Sequence, residues 1–358
     1  MMSEGARAAV IVGPQRIEVR TVELPEPGPG DLLVEVEACG ICGSNLHEWR
    51  HPDQRLTVGD PPPGAAGHEV AVRVVTAPPN STWRRGDRAV LEPNRVSSCG
   101  VCTACTEGRD WFCRSRRPVG SWGFATQMVV PERSLFAAPE GLPGALATLV
   151  EPAACVVHAL RHSWTASDAG LDGRSIVILG AGVTGLLAIP IARHLGMGEI
   201  AITARHAHQA DAATRLGADR VLDAEDTDLV GHLVECRADL VLEAVGGAAP
   251  TFELACRVVR PRGEVVVLGL FDAPVSIDAR RAVFRELRTF FPVTYGVRDG
   301  RHDFEVAIEA LEHVGRSLES LVTHRFGLGD VATAFETAAS KRDAALRVTV
   351  VPGEDRDP

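Results

Sequence analysis

Apolar residues recur along this chain with two different periods, and the change of period divides it. Over residues 6–40, strand-length runs alternate apolar and polar positions: Ala8-Ala-Val-Ile-Val12, Arg16-Ile-Glu-Val-Arg20 and Asp31-Leu-Leu-Val-Glu-Val-Glu37. The stretch Pro25-Glu-Pro-Gly-Pro-Gly30 between the last two is turn chemistry, so this part predicts a small antiparallel β domain. A Pro/Gly-rich loop then leads into another strand, Val70-Ala-Val-Arg-Val-Val75. From 175 to about 293 the pattern becomes apolar strand-length runs separated by helical stretches. Candidate strands are 175–179, 199–204, 220–222, 239–243, 263–268 and 288–294. That alternation predicts a doubly wound parallel sheet. Residues 149–161 predict a helix leading out of the first domain, with Pro152 in its first turn. The tail predicts helices near 302–313 and 330–340 and a last strand over 346–351.

The sharpest local pattern lies where the second domain begins. The run Ser175-Ile-Val-Ile-Leu179 passes directly into Gly180-Ala-Gly-Val-Thr-Gly185, followed by a helical pattern to His194 and a stop at Gly196. Strand, G-x-G-x-x-G turn and helix stand in the order a dinucleotide site requires. The glycines serve a tight turn, close backbone approach to a pyrophosphate, and close packing of helix on strand. The helix N-terminus offers free N–H groups to the phosphates. Although 176–192 carries no charge, three glycines and Pro190 interrupt it, and it is shorter than the roughly 20 apolar residues of a membrane span. Pro190 predicts a mild kink, because it removes one helical hydrogen bond.

Composition narrows the function classes. A chain of 358 residues accommodates two domains, and 45% hydrophobic with 23% charged residues is ordinary for a globular protein. Its 37 basic and 47 acidic residues leave a formal charge of −10, which argues against nucleic acid or an anionic membrane as partner. The N-terminal residues lack the apolar core of a signal peptide, so the cytoplasm is the expected compartment.

Nine cysteines, four of them tightly clustered, favour metal over disulfides in such a compartment. Cys99, Cys102, Cys105 and Cys113 form C-x2-C-x2-C-x7-C, the donor set of a closed, tetrahedral, structural zinc site. An iron–sulfur motif opens similarly but continues with its fourth cysteine three residues on, followed by proline; here seven residues intervene and Arg114 follows. Cys39-Gly-Ile-Cys-Gly-Ser-Asn-Leu-His47 is too compact for a zinc finger. Taken alone, Cys42 and His68 read more readily as core residues than as ligands.

Together these residues resemble the zinc-containing medium-chain alcohol dehydrogenase family, and within it the sorbitol and threonine dehydrogenase branch. The resemblance is carried by Gly40-Ile-Cys-Gly-Ser44, Gly67-His-Glu69, the four-cysteine lobe, Glu151-Pro152, Gly180-Ala-Gly-Val-Thr-Gly185, Glu243-Ala-Val-Gly246 and Val322-Thr-His-Arg-Phe326. It implies an α/β protein with a GroES-like β domain over 1–153 and 295–358, including a zinc lobe at 95–115. A Rossmann domain over 154–294 is inserted between these segments. It also implies that Cys42, His68 and Glu151 converge on a catalytic zinc, with Glu69 as ligand or close neighbour, and that Ser44 and His47 relay a proton. Gly180, Gly182, Val183, Thr184 and Gly185 would hold the dinucleotide. Zinc makes a bound hydroxyl more acidic and a nicotinamide accepts hydride, so the implied activity is interconversion of a secondary alcohol and a ketone. By analogy the chain forms a homodimer or homotetramer.

Two positions depart from the family pattern. Asn45 stands where the family usually has an aspartate supporting the zinc-bound histidine, which implies a slightly more electrophilic zinc and a less basic imidazole. At the end of the second Rossmann strand, the acid expected to bind the NAD ribose is replaced by Ala204, followed by Arg205 and His206. A guanidinium there suits a 2′-phosphate, so NADP is expected over NAD. Trp49, His51, Arg55 and Arg298 are candidate pocket residues for a polyol, sugar or cyclitol-like substrate. Two other readings stay open: an NAD-dependent polyol or amino-alcohol dehydrogenase, and a non-catalytic protein that binds zinc and nucleotide.

Overall fold

A computed structural model describes residues 5–53, 67–117, 123–138 and 141–354. The chain forms two compact units, Met1–Glu151 with Glu319–Pro358, and Pro152–Leu318.

The first unit is built on a mixed sheet whose strands run Val322–Phe326, Arg347–Val350, Asp31–Gly40, Glu69–Thr76, Arg88–Leu91 and Leu135–Ala137. Gln127–Pro131 also pairs with Asp31–Gly40. Neighbours are antiparallel except Val322–Phe326 and Arg347–Val350, which run parallel. Ala6–Gly13 and Arg16–Val22 pair antiparallel as a two-stranded sheet. Strand alternation sends Leu32, Val34 and Val36 from one strand and Val70, Val72 and Val74 from the next into a common core. Phe335, on the helix Val331–Ser340, lies in that core against Phe124 and Trp49, with ring centroids 5.4 and 5.8 Å away. The C-terminal tail therefore packs into this unit.

The second unit carries six parallel strands in the order Arg220–Asp223, Ile200–Ala204, Ile176–Leu179, Leu240–Glu243, Glu264–Val267 and Arg288–Phe290. This is the doubly wound order, with the first strand central and the crossovers made by helices. The four innermost strands are buried along their whole length, which explains why they read as unbroken apolar runs. All six strands lie where periodicity placed them, although the last ends at Phe290 instead of continuing to 294. The helix Val183–His194 continues unbroken through Pro190.

The unit boundaries differ from those the resemblance suggested. They fall at 151/152 and 318/319, not at 153/154 and 294/295. The reason is the helix Asp303–Val314, which buries Phe304, Val306, Ala307, Ala310 and Leu311 and packs on Val183–His194. Burying that apolar stripe assigns the segment 295–318 to the nucleotide-binding unit.

Candidate active site

The ladder that ends at Gly40 brings distant donors together. Gly40 closes the strand Asp31–Gly40 and pairs with Glu69, the first residue of Glu69–Thr76. Cys42, two residues beyond Gly40, caps the helix Gly43–Arg50, and its N–H donates to Asn45 Oδ1 at 3.0 Å. Ligand atoms of Cys42, His68 and Glu69 consequently lie within 4.8 Å of one another. Sulfur, imidazole nitrogen and carboxylate oxygen are the donors zinc takes. Glu151, in the first turn of Val150–Arg161 and 8% exposed, acts on the same imidazole through its charge. Burial disfavours an imidazolium at His68, but the hydrogen bond and charge of Cys42, followed by Glu151 and Glu69, outweigh it and raise the histidine well above its ordinary value. A pocket so anionic fits a divalent cation, which answers the same field without a proton.

Behind these residues lies Arg347, which no motif singled out. Its Nη1 is 2.5 Å from Glu69 Oε2, with both side chains 2% exposed, and its Nη2 donates to the Thr148 carbonyl at 3.2 Å. A Cβ at Gly40 would overlap the Arg347 guanidinium. Gly40 is the one sequence signal of this cation, because a glycine at a strand end leaves room for a neighbouring chain or side chain.

The expected proton relay is only partly assembled. Ser44 Oγ is 3.5 Å from His68 Nε2, whereas the His47 ring lies 5.4 Å from that of His51. Among the described residues no hydrogen bond joins Ser44 to His47. The pocket candidates fare less well. Trp49 is 4% exposed and packs against Phe335, so it is a core residue. Arg298 is engaged within its own unit, donating to the Arg161 carbonyl while Arg161 Nη2 donates to its carbonyl at 2.8 Å. His51 is exposed, and Arg55 falls outside the described residues.

Cys99, Cys102, Cys105 and Cys113 converge, their sulfurs within 4.8 Å of one another and Cys102 Sγ 3.5 Å from Cys105 Sγ. N–H groups of Val101 and Cys102 bring the Cys99 thiol down to about 6, while burial, then Cys102, drives Cys105 up to about 12. Four thiols this close ionise together only around a cation, so the donor set fits the closed zinc site expected of it. A network absent from the motif reading clamps the lobe. Buried Asp110 accepts from Ser98 Oγ at 2.5 Å and Arg133 Nη1 at 3.0 Å, and Arg133 also donates to Ser98 Oγ at 2.6 Å. Arg133 lies far along the chain from the cysteines, so spacing carries no sign of it.

In the second unit the three glycines stand in three different settings. Gly180 turns at φ +102° and donates its N–H to Thr203 Oγ1 at 2.9 Å. At Gly185 a Cβ would collide with the Gly180 carbonyl, while at Gly182 it would point into open space. Gly182 caps Val183–His194 without a side-chain hydrogen bond, so Val183 and Thr184 begin a helix whose N-terminal N–H groups suit a phosphate. Ala204 ends its strand buried. Arg205 follows with its side chain 66% exposed and Nε 3.7 Å from Glu225 Oε1. His206 caps the helix Ala207–Arg215, its ring stacked with that of His208 at 5.5 Å.

Comparison with known proteins agrees with this architecture. The Alcohol dehydrogenase GroES-like domain family matches residues 28–140, and the Zinc-binding dehydrogenase family matches 183–313. The L-threonine 3-dehydrogenase of Pyrococcus abyssi is 32% identical over 333 residues, which span 89% of this chain and 91% of the relative. An Escherichia coli oxidoreductase/dehydrogenase of unknown specificity superposes with a TM-score of 0.84 at 26% identity, covering 97% of this chain and 99% of the other. A Sinorhizobium meliloti 1021 protein assigned as a zinc-binding dehydrogenase, solved bound to NADP, superposes at 0.79 with 30% identity over 97% and 99%. This chain therefore belongs to the zinc-containing medium-chain alcohol dehydrogenase family, enzymes that oxidise or reduce at an alcohol carbon with zinc and a nicotinamide dinucleotide.

Proposed function

We propose that this enzyme interconverts a secondary alcohol and its ketone with NADP(H), the alcohol belonging to a polyol, sugar or cyclitol-like molecule. The observation that carries the cofactor choice is the end of Ile200–Ala204, where buried Ala204 replaces an acid and Arg205 stands exposed after it. Without a carboxylate on that strand end, a 2′-phosphate meets no repulsion from it, and Arg205 and His206 offer donors. The NADP-bound relative from S. meliloti supports the same reading.

In this proposal Cys42 and His68 hold the zinc, and Glu151, whose charge acts on His68, serves as the third ligand. Arg347 pairs with Glu69, the carboxylate grouped with Cys42 and His68, and keeps it beside them. When bound, zinc supplies Lewis acidity and the nicotinamide supplies hydride chemistry. Ser44 accepts the alcohol proton and His47 passes it outward. The Gly180–Gly185 turn and the N-terminus of Val183–His194 hold the pyrophosphate. The four clustered cysteines hold the structural zinc, and Asp110 and Arg133 brace their loop. Threonine carries an amino group beside its secondary hydroxyl, so the threonine dehydrogenase relatives favour an amino alcohol as the second reading.

The test is a panel of polyols, sugars, cyclitols, simple secondary alcohols and L-threonine. Each is incubated with zinc-loaded enzyme and either NAD+ or NADP+, and followed by absorbance of the reduced nicotinamide. Turnover of a polyhydroxylated alcohol with NADP+ preferred supports the proposal. Preference for NAD+ overturns the cofactor assignment, and turnover restricted to L-threonine overturns the substrate class.

A further inference from the structure

A cluster in the nucleotide-binding unit takes no part in the chemistry above. His158 and His162 stand four residues apart, and the His162 N–H donates to the His158 carbonyl at 3.0 Å, so the helical turn persists to His162. Their side chains thus share one helix face, with ring centroids 4.1 Å apart. Asp303, 0% exposed at the start of Asp303–Val314, reaches both. Its Oδ2 is 2.8 Å from His158 Nδ1 and 3.5 Å from His162 Nε2.

We infer that His158, His162 and Asp303 form a third metal site, for a divalent first-row transition ion such as Zn2+ or Co2+, separate from the two zinc sites of the dehydrogenase. One ligand atom from each residue lies within 4.8 Å of the other two. Around a tetrahedral ion with arms of about 2.0–2.1 Å, neighbouring ligand atoms stand about 3.3 Å apart. The two observed distances from Asp303 Oδ2, 2.8 and 3.5 Å, bracket that spacing. Two imidazoles and one carboxylate suit zinc and its neighbours, and leave further positions for water.

Two features favour a site over a simple ion pair. His162 Nε2 is buried and has no hydrogen-bond partner, yet it faces the carboxylate across a gap too long for a good hydrogen bond. Buried polar atoms are rarely left so, and a metal bond would satisfy this one. The carboxylate is also already oriented from outside: Arg161 Nη1 donates to Oδ1 at 2.8 Å and the Gly296 N–H to Oδ2 at 2.9 Å. Ligating carboxylates are held in this way by groups behind them. The ion would staple Val150–Arg161 to Asp303–Val314, the helix whose packing sets the unit boundary.

Titration of the zinc-replete full-length protein with Co2+ tests the site, read by visible absorbance and by elemental analysis after gel filtration. Uptake of cobalt beyond the retained zinc, lost in His162→Ala and in His158→Gln, is the expected result. Asp303 is left intact because its carboxylate also pairs with Arg161 and accepts the Gly296 N–H. Cobalt uptake matched by zinc loss, equal uptake by wild type and both variants, or no uptake by wild type overturns the site. Because the last two outcomes need no active enzyme, they are independent of the substrate proposal.

Discussion

Arg347 and Glu69 form an ion pair with both side chains 2% exposed, Nη1 to Oε2 at 2.5 Å, directly behind Cys42 and His68. The sheet register makes the pair. Thr349 stands opposite Gly40, and Gly40 opposite Glu69; Arg347, two residues before Thr349, projects from the same strand face. The missing Cβ of Gly40 provides the space its guanidinium fills.

Removing one partner of such a pair strands a buried charge. Arg347→Ala is expected to cost about 3–5 kcal/mol and to loosen the zinc proposed for Cys42 and His68. Gly40→Ala, by overlapping the guanidinium, is expected to cost about 1–3 kcal/mol. The joint change Arg347→Met with Glu69→Gln should recover most of the loss. Chemical denaturation with metal analysis of each variant checks this; a fully stable Arg347→Ala would refute the role given to the pair.

Asn45 spends its side-chain oxygen on the Cys42 N–H, organising the loop that presents Cys42. Asn45→Asp adds a negative charge to a pocket that already raises His68 through its anions. Tighter zinc retention, by up to ~10-fold, and a pH–rate profile moved to higher pH are expected. Unchanged retention and profile would confine Asn45 to holding the loop.

Arg205 decides the cofactor in the proposal above. A charge-assisted hydrogen bond is worth about 1.5–3 kcal/mol, so Arg205→Ala should lower kcat/KM for NADP+ roughly 10- to 100-fold. The value for NAD+ should change little. Steady-state kinetics with each dinucleotide gives the answer, and an unaltered preference would remove Arg205 from the site.

Asp239 ties the N-terminal ends of two central Rossmann strands. It accepts from the Ser175 N–H at 2.9 Å, Ser175 Oγ at 3.0 Å and Arg260 Nη2 at 2.7 Å. Burial alone would raise its carboxyl, but the Ser175 N–H, Arg260 and the Ser175 hydroxyl hold it below the ordinary value. A depressed folded-state value means the stabilisation is complete above the unfolded value of about 3.9 and fades as pH falls through the folded one. Asp239→Asn should therefore cost about 1–3 kcal/mol at neutral pH. The gap to wild type should close below pH ~4 in thermal denaturation followed across pH. A gap independent of pH would point to geometry alone.

What could be read from the chain was whatever depends on near neighbours in sequence. The six parallel strands were legible because both faces of each inner strand are covered, leaving continuous apolar runs. The Gly180–Gly185 turn and the four-cysteine lobe were legible because their chemistry sits within one loop. The pairing of Cys42 with His68 and Glu69 came only by resemblance, since a strand ladder brings them together across a long loop. Tertiary structure alone decided the rest. Arg347 reaches Glu69 through a strand from the far end of the chain, Arg133 clamps the cysteine lobe through Asp110, and Trp49 turns from a supposed pocket wall into core. Likewise, the helix Asp303–Val314 joins the nucleotide-binding unit because its apolar face finds Val183–His194, and it carries Asp303 to two histidines on another helix. Periodicity reports which face of an element is buried, whereas the partner that buries it is chosen by packing in three dimensions.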